Sequence, residues 1–345
     1  MGSRRWFRGL LIGCAIAYPV ALLVIALAFS RIGERWWVTA IGLYAPRVAF
    51  AAPLPFLVFG LLVFGLRRWL WTQLVAGLLV LLPLMGFVPP SLGNARHDGP
   101  ALRVLTFNVN SAYGGVPAVV GRIFEQSPDL VLLQEAPWAP DLANALRARF
   151  EYVETSTQFV VASRYRIESR TDPERLGFLN RARSPRFMRY QIQTPLGSIA
   201  VYNLHPISPR GVLHVRQFRA ALHELRTGQL FAGDPEADVR SNFGLRSLQI
   251  ETAAREADRE SLPVLLAGDT NLPGLSAVLH ENLSGYRDGF SSASWGFGYT
   301  FPEKHPFLRL DRILVSDKLR FASFHVACPG VSDHLCAVAE IQASP

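Results

Sequence analysis

A mixed α/β domain behind a membrane anchor of three transmembrane helices is the architecture this sequence predicts, on three observations. Apolar side chains concentrate before residue 91 in runs of bilayer length. From residue 101 onward, short apolar strand patterns alternate with amphipathic helical ones. Polar residues with chemical potential recur at the ends of those strands.

The anchor comes first in the chain. Half of the 345 residues are hydrophobic and the mean hydropathy is +0.19, too apolar for an ordinary soluble enzyme of this length. Leu10–Phe29 carries no charge and is long enough to cross about 30 Å of hydrocarbon as a helix. Val48–Leu66 is a second such run and Trp69–Val88 a third, with Gln73 its only strongly polar side chain. Pro19, Pro53, Pro55 and Pro83 would break soluble helices, but membrane helices tolerate proline. Trp36, Trp37, Trp69 and Trp71 lie at run ends, where interfacial aromatics are expected. A secretory signal is the competing reading; the first run is too long for one, and no small-residue cleavage site follows it. Arg4, Arg5 and Arg8 precede the first run, and Arg67 and Arg68 lie between the second and third. The positive-inside rule puts both clusters in the cytoplasm, and three crossings place everything after Pro90 outside it, at a cell (inner) membrane.

The net charge of +8 reflects this anchor. Residues 1–100 hold nine arginines against Glu34 and Asp98, whereas the remainder holds 26 basic and 25 acidic residues. The domain therefore lacks the basic excess usual in a nucleic-acid binder. Eight arginines between 164 and 189 are a local exception, read as a salt-bridged loop or an anion-binding flap. Cys14 lies in the first apolar run; Cys328 and Cys336 could pair in an oxidising compartment.

Residues 91–100 are polar with Gly and Pro and read as a linker to a catalytic unit spanning 101–345. Strands are predicted at Leu102–Phe107, Asp129–Leu133, within Tyr152–Val161 and Phe187–Gln193, and at Ser198–Asn203, Leu310–Val315, Leu319–Ala327 and Leu335–Ile341. Helices are predicted at Pro117–Gln126, Asp141–Phe150 and Arg246–Arg259, and residues 207–245 read as an insertion with a helix at Leu213–Arg226. The stretch Leu262–Pro273, LPVLLAGDTNLP, centres the chemistry. Its apolar run fits a buried strand, Gly268 permits close backbone approach, and Asp269 and Asn271 then point the same way. Asn108, Glu135, His205, Asp333 and His334 likewise follow apolar stretches. Carboxylate and amide oxygens suit Mg²⁺ or Mn²⁺, neutral imidazole suits acid–base work, and the sequence offers no cysteine pair or HExxH spacing for zinc.

Six short motifs in order give these positions a further meaning: LRVLTFNVN (102–110), PDLVLLQEA (128–136), VYNLHP (201–206), LLAGDTN (265–271), LRLDRIL (308–314) and VSDHL (331–335). With them the chain from about Ala101 to Ile341 resembles the endonuclease/exonuclease/phosphatase, or DNase I-like, superfamily. The Ser-Arg-aromatic segment SRYRI (163–167) and Arg246-x-x-Gln249 add to the resemblance. It implies a four-layer α/β (α+β) sandwich of two mainly antiparallel sheets flanked by helices. It also implies that Glu135 is the principal metal ligand with Asn108 and Asp333 beside it, and that Asp269 orients or deprotonates water. Asn271 would contact the scissile phosphate, and His205 would donate to a phosphoryl or leaving oxygen. His334, held by Asp311, would contact the phosphoryl oxygen or act as base, and Arg164 would bind substrate.

The expected function is therefore membrane-tethered, Mg²⁺- or Mn²⁺-dependent phosphoester hydrolysis, with the bilayer as partner through residues 1–90 and no protein partner inferred. An extracytoplasmic nuclease or a lipid-headgroup phosphodiesterase of sphingomyelinase type are the alternative substrates' readings. The near-neutral domain and Asn203-Leu204-His205, where Asn-Thr-His is commoner in the family, turn the expectation away from DNA. A non-catalytic binding module is the competing class, disfavoured by the intact motif positions.

Overall fold

Strand alternation, read from residue 102 onward, builds the α/β domain. A computed structural model describes residues 2–90, 99–136, 140–173, 186–209 and 234–344. Two six-stranded sheets pack face to face. The first is ordered β11-β12-β1-β2-β4-β3, from β1 (Leu102–Asn108), β2 (Leu130–Gln134), β3 (Tyr152–Ser156), β4 (Phe159–Ser163), β11 (Leu319–Ala327) and β12 (Cys336–Ala343). The second runs β5-β6-β7-β8-β10-β9, from β5 (Ile167–Thr171), β6 (Phe187–Thr194), β7 (Gly197–Leu204), β8 (Val264–Asp269), β9 (Arg287–Asp288) and β10 (Asp311–Val315). Pairing is antiparallel except between β1 and β2 and between β7 and β8. The expected sandwich of mainly antiparallel sheets is what forms.

The period of two assigns each residue to a layer. Leu102 and Val104 of β1, Leu265 and Ala267 of β8 and Ile313 and Val315 of β10 fill the space between the sheets. Leu105 and Phe107 face outward onto helices α5 (Val116–Glu125) and α6 (Pro140–Leu146). Val264 and Leu266 face α7 (Asp234–Asp258) and α8 (Ala277–Leu283) on the other side. Each fully buried aliphatic side chain contributes about 1.5–3 kcal/mol of transfer free energy, so a one-residue slip would forfeit an entire face. Gly268 is fixed by sterics: its φ is +147°, and a Cβ there would sit 2.0 Å from the Leu204 carbonyl oxygen.

Several boundaries differ from expectation. The alternation within Tyr152–Val161 divides into the β3–β4 hairpin, turning at Thr157, whose φ is +51°. The expected helix at Arg246 begins twelve residues earlier, at Asp234, so the inserted segment shares its last turns with α7. The expected helix at Leu213–Arg226 lies outside the described residues, as do most of the linker and the centre of the arginine-rich loop.

The three-span anchor is corrected. Among the described residues, one helix, α1 (Gly2–Arg31), is by itself long and apolar enough to cross a bilayer, over Arg4–Arg31; Trp37–Tyr44 with Arg47–Val63 would add a second only if that bent pair is one span. The second run becomes α3 (Pro53–Val63), preceded by α2 (Trp37–Tyr44) and a 95° bend. The third becomes α4 (Leu70–Leu79), continued by a π-helical turn at Val80–Leu84. At 1.5 Å per residue α3 rises only about 16 Å and α4 with its turn about 22 Å. Proline explains the shortening: Pro46 separates α2 from the next turn, Pro53 and Pro55 start α3, and Pro83 widens the end of α4. Gln73 donates to the Ala15 carbonyl, 3.2 Å away, which ties α4 to α1. All exposed large apolar side chains of the described residues belong to this segment, except Tyr113 and Trp295.

The N-terminal helices dock on the α/β domain through the end far from Arg4 and Arg67. Val88 and Gly296 exchange backbone hydrogen bonds of 2.8 and 2.9 Å, and the Tyr299 hydroxyl donates to the Met85 carbonyl at 2.6 Å. Gly33, at φ +55°, packs so closely on α8 that an added Cβ would lie 2.9 Å from Ala277 Cβ.

Candidate active site

The inward phase of five strands delivers the site. Continuing the alternation past the last apolar residue makes Asn108, Gln134, Asn203 and Asp269 point between the sheets, all at one end of the sandwich, with Asp311 starting β10 there. Gln134 donates to Asn203 Oδ1 at 2.7 Å, and Asn203 donates to the Leu133 carbonyl at 3.2 Å, so amides bridge the sheets where the apolar core stops. Glu135 would fall on the outward phase, but its φ of +51° takes it out of the strand's alternation. A non-glycine residue held there is strained, by about 1–3 kcal/mol, and such positions cluster at active sites.

Two carboxylates and two imidazoles converge around Asn108. Its Nδ2 donates to Glu135 Oε1 at 3.1 Å and to Asp269 Oδ2 at 3.0 Å, while its Oδ1 accepts from the Asn110 N–H at 3.1 Å. His205 Nε2 lies 3.4 Å from Glu135 Oε1 and 3.7 Å from Asp269 Oδ2, and has no hydrogen-bond partner although buried. His334 Nε2 approaches the same Asp269 oxygen at 3.7 Å. Its Nδ1 pairs with Asp311 Oδ2 at 2.8 Å, and its ring packs on Phe301 with centroids 4.7 Å apart. Burial alone would push the His334 imidazole down, but the Asp311 carboxylate and then Asp269 push it up, to about 9. Burial pushes the Asp311 carboxyl up from its ordinary range, and the His334 charge opposes that shift. Arg309 and Arg312, the sequence neighbours of Asp311, bind Asp288 instead at 2.6 and 2.8 Å.

The loops fix the remaining residues. Asn271, at φ +51°, donates its N–H to Asp269 Oδ1 at 2.9 Å and its Nδ2 to the Pro206 carbonyl at 3.1 Å. Ser332 Oγ donates to the Asn108 carbonyl at 2.8 Å and seats the loop carrying Asp333, which is half-buried and near enough to act on the His334 charge. Cys328 and Cys336 close that loop as a disulfide with Cα atoms 5.5 Å apart. A loop this short gains about 2–3 kcal/mol from the cross-link in chain entropy. Reduction, or the double change Cys328→Ser and Cys336→Ser, is expected to lower Tm by several degrees and to lower kcat further; calorimetry and initial rates read the two effects.

The structure brings together Asn108, Glu135, His205, Asp269, Asn271, Asp311, Asp333 and His334, but not Arg164. β4 runs antiparallel to β2 with Ser163 opposite Leu130, so Arg164 leaves the sheet at the end away from Glu135. It pairs there with Asp129 at 3.5 Å. Three further residues stand near the site. Gln158, in the β3–β4 turn, is hydrogen-bonded to His205 Nδ1, so Nε2 faces the carboxylates. Arg186, at the end of the arginine-rich loop, has a guanidinium held below its ordinary range by burial while the nearby Glu135 charge opposes that shift; its Nε has no partner. Tyr44, from α2, donates to the Asn271 carbonyl at 2.7 Å. In the sequence only Arg186 had a signal, the clustering of arginines.

The chain belongs to the endonuclease/exonuclease/phosphatase family, whose model matches residues 105–334. Members of that family are hydrolases of phosphoester bonds that use divalent metals. Among solved structures, an endonuclease/exonuclease/phosphatase family protein from Leptotrichia buccalis C-1013-b is 17% identical, with 70% of this chain and 99% of that chain covered and a TM-score of 0.51. SmcL, at 12% identity, is covered to the same 70% and 99% with a TM-score of 0.51. These likenesses extend to the fold. Comparison with curated proteins finds no match.

Proposed function

We propose that the chain hydrolyses a phosphodiester or phosphomonoester with a bound Mg²⁺ or Mn²⁺, at a membrane that α1 crosses. The observation that carries this reading is Asp269 Oδ2, 3.7 Å from the Nε2 atoms of both His205 and His334. A carboxylate flanked by two imidazoles can take a proton from water on one side while donors stabilise phosphoryl charge on the other.

The donor set fits a hard dication: Glu135 and Asp269 direct oxygens at a single amide, and the Glu135 side chain is 29% exposed toward solvent. Glu135, with Asn108 and Asp333 beside it, would hold the ion. The compact grouping of Asp269, Asp311 and His334, whose ligand atoms lie within 4.8 Å of one another, suits an ion less well. Asp311 and His334 already spend their facing atoms on each other. A bound dication supplies charge neutralisation at the phosphate and a lower pKa for water.

The protein's own groups divide the remaining work. Asp269 accepts the proton as the water oxygen forms its bond to phosphorus and the ester P–O bond breaks. His205 donates to the departing oxygen. His334, protonated and oriented by Asp311, and Asn271 donate to non-bridging oxygens; Arg186 supplies positive charge nearby.

Membrane placement rests on α1, its preceding arginines and the exposed apolar side chains of the anchor. A single crossing with Arg4, Arg5 and Arg8 in the cytoplasm leaves the catalytic domain outside it, and the Cys328–Cys336 disulfide suits that oxidising side. A tethered domain of near-neutral charge favours a lipid-headgroup or other small phosphoester over long nucleic acid.

The test is a substrate panel with the full chain in detergent, with Mg²⁺ or with chelator. It would hold a bis-aryl phosphodiester, sphingomyelin, a phosphoinositide, RNA and plasmid DNA. Metal-dependent turnover of at least one is expected, greatest for a lipid; no hydrolysis of any member with either metal would overturn the reading.

A further inference from the structure

We infer that Tyr44 is a positioning residue of the active site, so that the membrane anchor supplies part of the catalytic machinery rather than a tether alone. This rests on the hydrolase reading above and concerns how that site is held in shape.

Tyr44 ends α2, some 225 residues before the loop it touches. Its hydroxyl donates to the Asn271 carbonyl at 2.7 Å and accepts from Arg246 Nη1 at 2.8 Å. The same guanidinium donates through Nε to the Ile207 carbonyl at 2.8 Å, two residues past His205, and through Nη2 to Asn242 Oδ1. Arg246 is 0% exposed and lies on the Phe243 face, 4.7 Å from its centroid; Phe243 in turn stacks on Tyr44 at 6.4 Å. One buried cation therefore clamps the His205 loop directly and the Asn271 loop through the tyrosine. Asn271 closes the circuit, since its Nδ2 binds the Pro206 carbonyl.

All three acceptors of Arg246 are neutral oxygens. A buried guanidinium with that partner set depends on each of them, because a donor left unmatched away from water is costly. Removing the Tyr44 oxygen orphans both Arg246 Nη1 and the Asn271 carbonyl. Asn271 is itself held at φ +51°, a conformation that persists only where surrounding contacts impose it. Among the described residues the contact from Tyr44 is one of three hydrogen bonds that impose it, and the one that comes from outside the domain's own loops. The side chain that Asn271 presents to the phosphate is thus set partly by the anchor. The exposed Arg35–Glu281 ion pair, which also joins the N-terminal helices to the domain, touches neither loop.

The test compares Tyr44→Phe with Arg35→Ala, both in the full chain in detergent with Mg²⁺, using the bis-aryl phosphodiester and amide hydrogen exchange. Tyr44→Phe keeps the ring packing and removes the hydroxyl. It is expected to lower kcat about tenfold with KM little changed, the effect of one lost hydrogen bond with a buried partner. Exchange should quicken in residues 268–275 and 205–209 and nowhere in the sheets. Arg35→Ala should match the parent in both measurements. Arg246→Gln combined with Tyr44→Phe should be no worse than the more severe single change, since both disable one clamp. Unchanged kcat with unchanged exchange in Tyr44→Phe would overturn the inference. So would uniform loosening of the whole domain, or an equal loss in Arg35→Ala, either of which makes Tyr44 a docking contact. A parent chain that hydrolyses no phosphoester refutes the hydrolase reading instead, and the exchange measurement then decides the clamp by itself.

Discussion

Asp311→Asn should lower kcat by about a hundredfold to a thousandfold while leaving KM within a fewfold of the parent, because the carboxylate acts on the imidazole and not on the substrate. The 2.8 Å pair fixes Nδ1 of His334 toward Asp311 and leaves Nε2 for the phosphate. His334→Ala should cost a similar factor, and the double variant little more, since both changes disable one unit. The pH profile gives an independent reading. Against the effect of burial, Asp311 and then Asp269 push the His334 imidazole up to about 9, so activity that needs its proton should fall as pH rises through that range. In Asp311→Asn the largest charge raising that value is gone, and the alkaline limb should move toward the ordinary histidine range. Stability carries the same sign. A histidine raised on folding stabilises fully below its unfolded value, and that contribution is lost as pH climbs through its folded one. Thermal unfolding in chelator from pH 6 to 10 should therefore decline at the alkaline end in the parent more than in His334→Ala. Additive losses in the double variant, or an unmoved alkaline limb in Asp311→Asn, would detach the two residues.

Glu135→Gln is expected to be the most damaging conservative change, with kcat reduced about a thousandfold or more and Mn²⁺ affinity weakened at least tenfold by calorimetry. The side chain keeps its size but loses the charge that Asn108 Nδ2 and His205 Nε2 now face at 3.1 and 3.4 Å. Because Glu135 also occupies a left-handed backbone position, the variant should be checked for an unchanged Tm. A folded Glu135→Gln protein with parental Mn²⁺ affinity would move the metal elsewhere, with Asp269, Asp311 and His334 the next place to look.

Most of the site was legible because it obeys the strand period. Asn108 and Asp269 sit where alternation from Leu102 or Leu265 says an inward side chain must be, and their motifs are local. Glu135 was legible only through its motif, since its positive φ defeats the alternation that predicts its neighbours. Arg164 was misplaced for the converse reason: the motif is local, but which sheet end it occupies depends on the β2–β4 register. Tyr44 and Gln158 reach the site through tertiary contacts across sequence separations of 227 and 47 residues, which no periodicity encodes. The anchor shows hydropathy failing in another way. Val48–Leu66 and Trp69–Val88 are apolar enough for the bilayer, but closely spaced prolines decide helix length, and hydropathy does not weigh them.

The strand order has a consequence for biosynthesis. β12, made of the last described residues, lies between β11 and β1, while β1 is the first strand of the domain to be synthesised. The first sheet is therefore missing an interior strand, and His334 its β12 support, until Cys336–Ala343 has left the ribosome. α1 by contrast is complete before any strand exists. The N-terminal helices can therefore pack while the first sheet still lacks β12, and the sheet closes last. A chain truncated before Cys336 should therefore keep its N-terminal helices but lose the cooperative thermal transition of the domain, read by circular dichroism.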